Sequence, residues 1–200
     1  LCYEDGRLLR SQAPAAPLPE SLFLEYATAG VRSDQAEARC RPYRVIAPLD
    51  GEAAAVAMYH LANASDSLEG KVTPEDYSWR NAMRQPYPGP GSLPAEGLVV
   101  WDWYEGTAAR LTDAYTIWLE PLTDRLLLLL PVTNGWAVGG RFDKFLGPAS
   151  AEVLEIHADT LRLRLHERGP LALWLEEGVP AAEGWTFESR GGGFFVGNCP

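Results

Sequence analysis

One run of residues constrains the fold more than any other. Leu126–Val132 reads LLLLLPV and is followed almost at once by Asn134-Gly135. Seven residues are too few to span a bilayer and suit the length of a strand. With leucine at successive positions, both faces of such a strand are apolar. That predicts a central strand covered on both sides. Asn-Gly is the preferred pair for a type I′ two-residue hairpin, because both positions need positive φ. Trp136–Gly140 is therefore expected to be the return strand.

The rest of the chain is punctuated in the same way. Leu161–His166 (LRLRLH) has a clean period of two. It places Leu161, Leu163 and Leu165 toward a core and Arg162, Arg164 and His166 toward solvent. In Leu98–Tyr104, Val99, Trp101 and Trp103 share one face and Asp102 takes the other, with a turn at Glu105-Gly106. Thr107–Leu111, Ala114–Leu119, Leu171–Leu175, Trp185–Glu188 and Phe194–Val196 read as further strands. Gly191–Gly193 is a turn between the last two. From Tyr43 the pattern is β. Ala53–Leu61 has strand length, although its alanines suit a helix equally, and Ser67–Val72 is a candidate partner for it. Residues 25–42 stay ambiguous. Short strands with Gly and Asn turns imply an all-β fold: an antiparallel β-sandwich with Greek-key crossings and less than about a tenth of its residues helical. Residues 1–24, with Pro14, Pro17 and Pro19, form a Pro-rich connector, and residues 25–200 form the sandwich domain.

Composition narrows the partners. A formal charge of −10 argues against nucleic acid and anionic membranes, since phosphate binding needs a basic surface. No signal peptide is visible in the first residues, which carry Glu4, Asp5, Arg7 and Arg10, and the expected location is cytoplasmic. A start at Leu1 fits a fragment of a longer protein. Three widely spaced cysteines, Cys2, Cys40 and Cys199, give no disulfide framework and no metal pattern, and a Cys2–Cys199 bridge is an outlying alternative to three ordinary thiols.

The chain carries little that resembles catalytic chemistry. A retaining glycosidase needs two carboxyl groups roughly 5–5.5 Å apart. Glu75-Asp76 and Glu176-Glu177 are adjacent in sequence and are expected to be solvated. His60, His157 and His166 lie in separate strands or turns, without the spaced donors a metal needs. No Gly-x-Ser-x-Gly elbow exists, and Gly191–Gly193 lacks the Lys and helix of a phosphate loop. No catalytic residue, metal or cofactor is expected. Aromatic residues remain. Val99, Trp101 and Trp103 would make a sugar platform if exposed, but large aromatics on an alternating strand are core in most folds. Residues 73–96 are the longest irregular stretch and hold Tyr77, Trp79 and Tyr87 beside Arg80, Asn81 and Arg84. Such a loop suits a sugar subsite, a wedge against a neighbouring domain or a lid over its own sandwich. Tyr77, Trp79, Arg80 and Tyr87 are its candidate substrate-binding residues.

Three segments carry a family resemblance: Gly97–Leu146, with its Arg-Phe-Asp-Lys corner; DGRLLRSQAPAAPLPESLF (Asp5–Phe23); and the stretch from AVAMYHL to LEGKVTPEDY (Ala55–Tyr77). In order and spacing they resemble the C-terminal β-domain of the raffinose synthase and seed-imbibition group of α-galactosidase-like proteins, within glycoside hydrolase family 36. The resemblance implies that a catalytic (β/α)8 barrel lies upstream and holds both catalytic Asp residues. It also implies that the β-domain caps that barrel, and that galactosides or oligosaccharides are the ligands of the whole enzyme. The family includes hydrolases and galactosyl transferases, which this domain does not tell apart. Two rivals stand beside this reading: a free-standing carbohydrate-binding module, and a structural sandwich with no sugar contact. An exposed aromatic row would favour the module, and a large apolar patch would favour the barrel cap.

Overall fold

In the computed structural model, residues 11, 14–18, 21, 41–61, 66–78 and 92–199 are described. Fourteen strands appear among them, with one five-residue α-helix and one four-residue 3-10 turn, so the expected all-β architecture is observed. The centre is a six-stranded antiparallel sheet. Its strands, in spatial order, are β1 (Ala16–Pro17), β2 (Tyr43–Pro48), β3 (Ala54–Tyr59), β8 (Asp124–Pro131), β5 (Leu98–Asp102) and β6 (Thr107–Leu111). Alanines 53–55 therefore adopt the extended alternative: every residue of β3 is paired in register with β2 on one side or β8 on the other. The Pro-rich stretch contributes β1 at a sheet edge, where proline's missing N–H costs no ladder bond. Leu18, directly after it, is fully buried.

β8 lies between β3 and β5, and Leu127, Leu128, Leu129 and Leu130 are all 0% exposed. Alternation sends them to two separate cores. Leu127 and Leu129 join Val56, Met58, Leu98 and Val100 on one face, beneath a two-stranded ribbon of β4 (Leu68–Val72) and β7 (Tyr115–Leu119). Leu128 and Leu130 join Val99 and Trp101 on the other. There they meet a four-stranded sheet of β13 (Thr186–Gly191), β14 (Phe194–Asn198), β12 (Leu171–Leu175) and β9 (Trp136–Arg141), which supplies Ala137, Ala172, Trp174 and Phe194. The indole of Trp101 fills the centre of that interface, 5.7 Å from the Phe142 ring and 5.5 Å from Phe194. Val99 and Trp101 are thus core, with Trp103 half-buried beside them. A second ribbon, β10 (Ala151–Ile156) and β11 (Leu161–Leu165), lies over the outer face of the four-stranded sheet.

Three expectations are corrected. Asn134-Gly135 does form a turn with positive φ at both residues, 48° and 76°, but β9 does not return along β8. Both edges of β8 are already taken by β3 and β5, so beyond a single Thr133–Trp136 bridge the chain crosses to the other sheet and pairs with β12. Glu96 pins the crossing by accepting the Asn134 and Gly135 amides at 2.8 and 3.0 Å, and these two bonds hold its carboxyl below the usual range. Leu68–Val72 pairs with Tyr115–Leu119 rather than with β3, because it stacks over the face of β3. The Met58 sulfur would sit 2.7 Å from any Cβ at Gly70, so a larger residue there would force the buried Met58 side chain to move. Finally, Leu161, Leu163 and Leu165 are half-buried rather than core, although Arg162 and Arg164 do face solvent.

Candidate functional site: an apolar end of the central sheet

The irregular stretch chosen from sequence divides. Pro74–Ser78 forms the short helix α1, with Tyr77 on its inner side. Tyr77 is 1% exposed and packs in the core beneath the β4–β7 ribbon. Its hydroxyl donates to the Glu52 carbonyl at 2.5 Å, and burial pushes the phenol up to about 12. A ring so enclosed has no open face for a sugar. Trp79, Arg80 and Tyr87 lie outside the described residues. Asp76 is buried instead of solvated: the Arg44 guanidinium meets both its oxygens at 2.8 and 3.3 Å, and the Thr73 amide donates to it at 2.9 Å. The charge is accepted there because the helix packs over β2, where Arg44 supplies a partner. Glu176 and Glu177 are exposed as expected.

The arrangement the sequence did not single out lies at one end of the central sheet. β3 ends at Tyr59, opposite Asp124 at the start of β8. His60 donates its amide to the Thr123 carbonyl at 2.9 Å, which extends the contact between β3 and the chain entering β8 by one residue. The turn before β8 is closed by Thr123, whose amide and hydroxyl both donate to the Glu120 carbonyl at 3.1 and 2.7 Å. That closure puts Leu122 at φ 60° and leaves it 84% exposed. A left-handed conformation costs a leucine roughly 1–2 kcal/mol. This leucine recovers none of it by burial in its own chain.

The β5–β6 turn presents a second group. The Asp102 carboxylate accepts the Tyr104 and Glu105 amides at 3.1 and 3.2 Å, and Gly106 supplies the positive φ that closes the turn. Burial pushes the Asp102 carboxyl above its ordinary value against the pull of these two bonds. Tyr104 is thereby held outward. Its hydroxyl donates to Asp124 at 2.6 Å, a bond that pushes the phenol up to about 12. The Arg125 guanidinium lies 5.8 Å from the Tyr104 ring and pairs with Glu105 at 2.7 Å. Trp103 donates its indole N–H to the Lys144 carbonyl at 3.0 Å and lies 4.2 Å from the Phe145 ring at a tilt of 35°, so the Arg-Phe-Asp-Lys corner joins the same end. Tyr59, Leu61, Tyr104, Leu122 and Phe145, on the segments that meet at this end, are exposed apolar side chains.

The corner itself is rigid. Asp143 receives two bonds from the Arg141 guanidinium at 2.7 Å, which hold its carboxyl below the usual range. Lys144 meets both oxygens of Glu167, whose side chain is 2% exposed, at 2.6 and 2.5 Å. Gly140 has φ 67° and approaches the Gly147 carbonyl so closely that a Cβ would overlap it. This clasp fixes the height at which Phe145 emerges.

Among the described residues no set of His, Cys, Asp or Glu side chains is placed to hold a metal, and no helix is long and apolar enough to cross a membrane. His60 is buried with Nε2 against the Asp66 carbonyl, and His157 pairs with Glu155 at the surface. Cys199 is an exposed thiol, and Cys2 lies outside the described residues. The sequence signal for the apolar end was Leu122 itself, an aliphatic residue inside the turn sequence EPLTD, where polar residues are the rule. No protein-family model matches the sequence, and no curated protein matches it either.

Proposed function

We propose that the chain is the non-catalytic C-terminal β-sandwich of a cytoplasmic α-galactosidase-like or raffinose-synthase-like enzyme, a glycoside hydrolase or galactosyl transferase. In this reading it caps and stabilises an upstream (β/α)8 barrel. The ordered resemblance of its strand segments supports this. The observation that carries it is this end of the sheet, where Leu61, Leu122, Tyr59, Tyr104 and Phe145 are each exposed on neighbouring segments beside Asp124 and Arg125. Exposed apolar side chains concentrated at one end of a sheet, rimmed by charged groups, mark a partner interface. Two of the five side chains are aliphatic, and Leu122 is held exposed at a backbone cost. Sugars stack on flat rings, so branched aliphatic groups fit a protein partner better. Trp79, Arg80 and Tyr87 remain the residues that a docked loop would lend to a galactoside or oligosaccharide in the barrel's cleft.

The chain is expected to associate with a family-36 barrel from which the native β-domain has been removed, and to raise that barrel's melting temperature. Leu61→Asp with Leu122→Asp should abolish the association while leaving the far-UV circular dichroism of the chain unchanged. Lack of any association would sink the proposal. Alone, the chain should turn over no aryl α-galactoside.

The carbohydrate-binding module draws its support from Tyr104, whose ring is exposed beside Asp124 and Arg125. The same geometry weakens it, because Arg125 stands over the ring and Asp124 already takes the hydroxyl. Saturable quenching of intrinsic fluorescence by raffinose, lost in Tyr104→Ala, would favour the module instead.

A further inference from the structure

The outer face of the four-stranded sheet is only partly covered. Alternation along β12 sends Ala172 and Trp174 inward to the main core and Leu171, Leu173 and Leu175 outward. Leu161, Leu163 and Leu165 of β11 line the same space from the other side. Between them the layers separate, leaving an open cleft of about 840 Å³. Trp185 and Phe187 form one wall, their rings stacked 6.1 Å apart at 19°. The turn around Val179–Ala182 forms another. Carboxylate or hydroxyl side chains lie on three lining residues, Asp159, Thr160 and Glu177, and no Lys, Arg or His side chain lines the cleft.

We propose that this cleft binds a small amphiphile with a flat aromatic body, set beside the Trp185 and Phe187 rings, and an uncharged polar end. Its volume falls within the several-hundred-cubic-ångström range of small-molecule sites, and its lining side chains are mainly apolar, while backbone and polar side-chain groups supply close to half of the exposed wall. Protein interiors are otherwise close-packed, so two facing rows of leucine held apart are unusual. A bound body of matching size would cover the half-exposed β11 leucines. The cleft is concave and lies between two layers, which admits a narrow molecule and excludes a flat protein surface. Its two carboxylates, without a basic side chain, disfavour an anionic head. The cleft shares no residue with the apolar end, and the proposal stands independently of the barrel.

The test is a titration of the intact 200-residue chain with neutral N-phenyl-1-naphthylamine, following probe emission and energy transfer from tryptophan. One saturable site is expected, with a Kd on the order of 100 µM for a probe of this size. Leu163→Trp, which fills the cleft, should weaken binding by about tenfold or more with unchanged circular dichroism. Should that variant misfold, Ala181→Trp at the exposed mouth should weaken binding in the same direction. Trp185→Phe should lower the energy transfer. The anionic analogue 8-anilino-1-naphthalenesulfonate should bind more weakly than the neutral probe. Non-saturable emission would overturn the proposal, as would binding that survives both filling variants or that is lost in Leu61→Asp with Leu122→Asp. Failure on these terms would leave the association with a barrel untouched.

Discussion

The leucines of β8 and those of β11 look alike in the sequence and meet opposite fates. Leu127 to Leu130 are wholly enclosed, two on each face of a strand with neighbours at both edges and layers above and below. Leu161, Leu163 and Leu165 sit on a two-stranded ribbon that touches the sheet beneath it at one end and parts from it at the other. The alternation of β11 correctly separates its apolar and charged faces. It does not say how closely anything packs on the apolar one. The inner layers are held by apolar contact, whereas the corner from which the outer ribbon departs is held by ions: Arg141, Asp143, Lys144 and Glu167.

Substitutions can sharpen that contrast or break it. Leu129→Ala should have the largest effect, lowering the unfolding free energy by roughly 3–5 kcal/mol, because the side chain is fully buried in the packed core and its removal leaves a cavity. Denaturant melts would read it directly. Glu167→Ala should follow, at roughly 2–4 kcal/mol, since it leaves Lys144 and Arg141 without their buried partner. A loss below about 1 kcal/mol there would mean that the clasp does not hold the corner. Leu163→Ala should cost only about 1 kcal/mol or less, because its side chain already borders open space. If it equals Leu129→Ala, the cleft is closed in solution and the distinction between the layers fails.

Two smaller effects concern charge. The folded-state pKa of Asp143 is depressed, chiefly by the bonds from Arg141, below its unfolded reference of 3.8. Its stabilising contribution is therefore full above that value and is lost as the pH falls through the lower folded value. Asp143→Asn should flatten the acid limb of the stability profile below about pH 4 and remove less than about 1 kcal/mol at neutral pH, since the pair is partly exposed. At Asp102 burial acts the other way, favouring the neutral form. Asp102→Asn keeps an oxygen for the Tyr104 and Glu105 amides and relieves the buried charge, so stability at pH 7 should change by less than about 0.5 kcal/mol. Asp102→Ala should cost about 1 kcal/mol. Equal losses in the two variants would show that the ionised form matters.

Much of the fold was legible because strand alternation and turn chemistry are local. Thr107–Leu111, the Gly106 turn and the glycine turn at 191–193 each follow from the preferences of a few residues, and each is found where expected. The candidate site was far less legible. Tyr77 has polar, Pro-rich neighbours that suit an exposed loop, yet a one-turn helix rotates it into the core. Tyr59, Tyr104, Leu122 and Phe145 are scattered over the chain and share a place only because β3, β5, β8 and the corner after β9 end at the same side.

The sequence by itself determined that the fold is all-β, roughly where most strands lie, though it missed β10, and that β8 is doubly covered, since these depend on side-chain period and on backbone positions that demand glycine or asparagine. Only the tertiary structure decided which strands pair. Asn134-Gly135 makes its turn as its dihedral preferences require, but whether the next strand returns depends on whether a free edge remains, and both edges of β8 are occupied. Leu68–Val72 likewise stacks over β3 and pairs elsewhere. Pairing, layer spacing and the exposure of Leu122 are long-range outcomes, set by competition among surfaces that no local window of sequence contains.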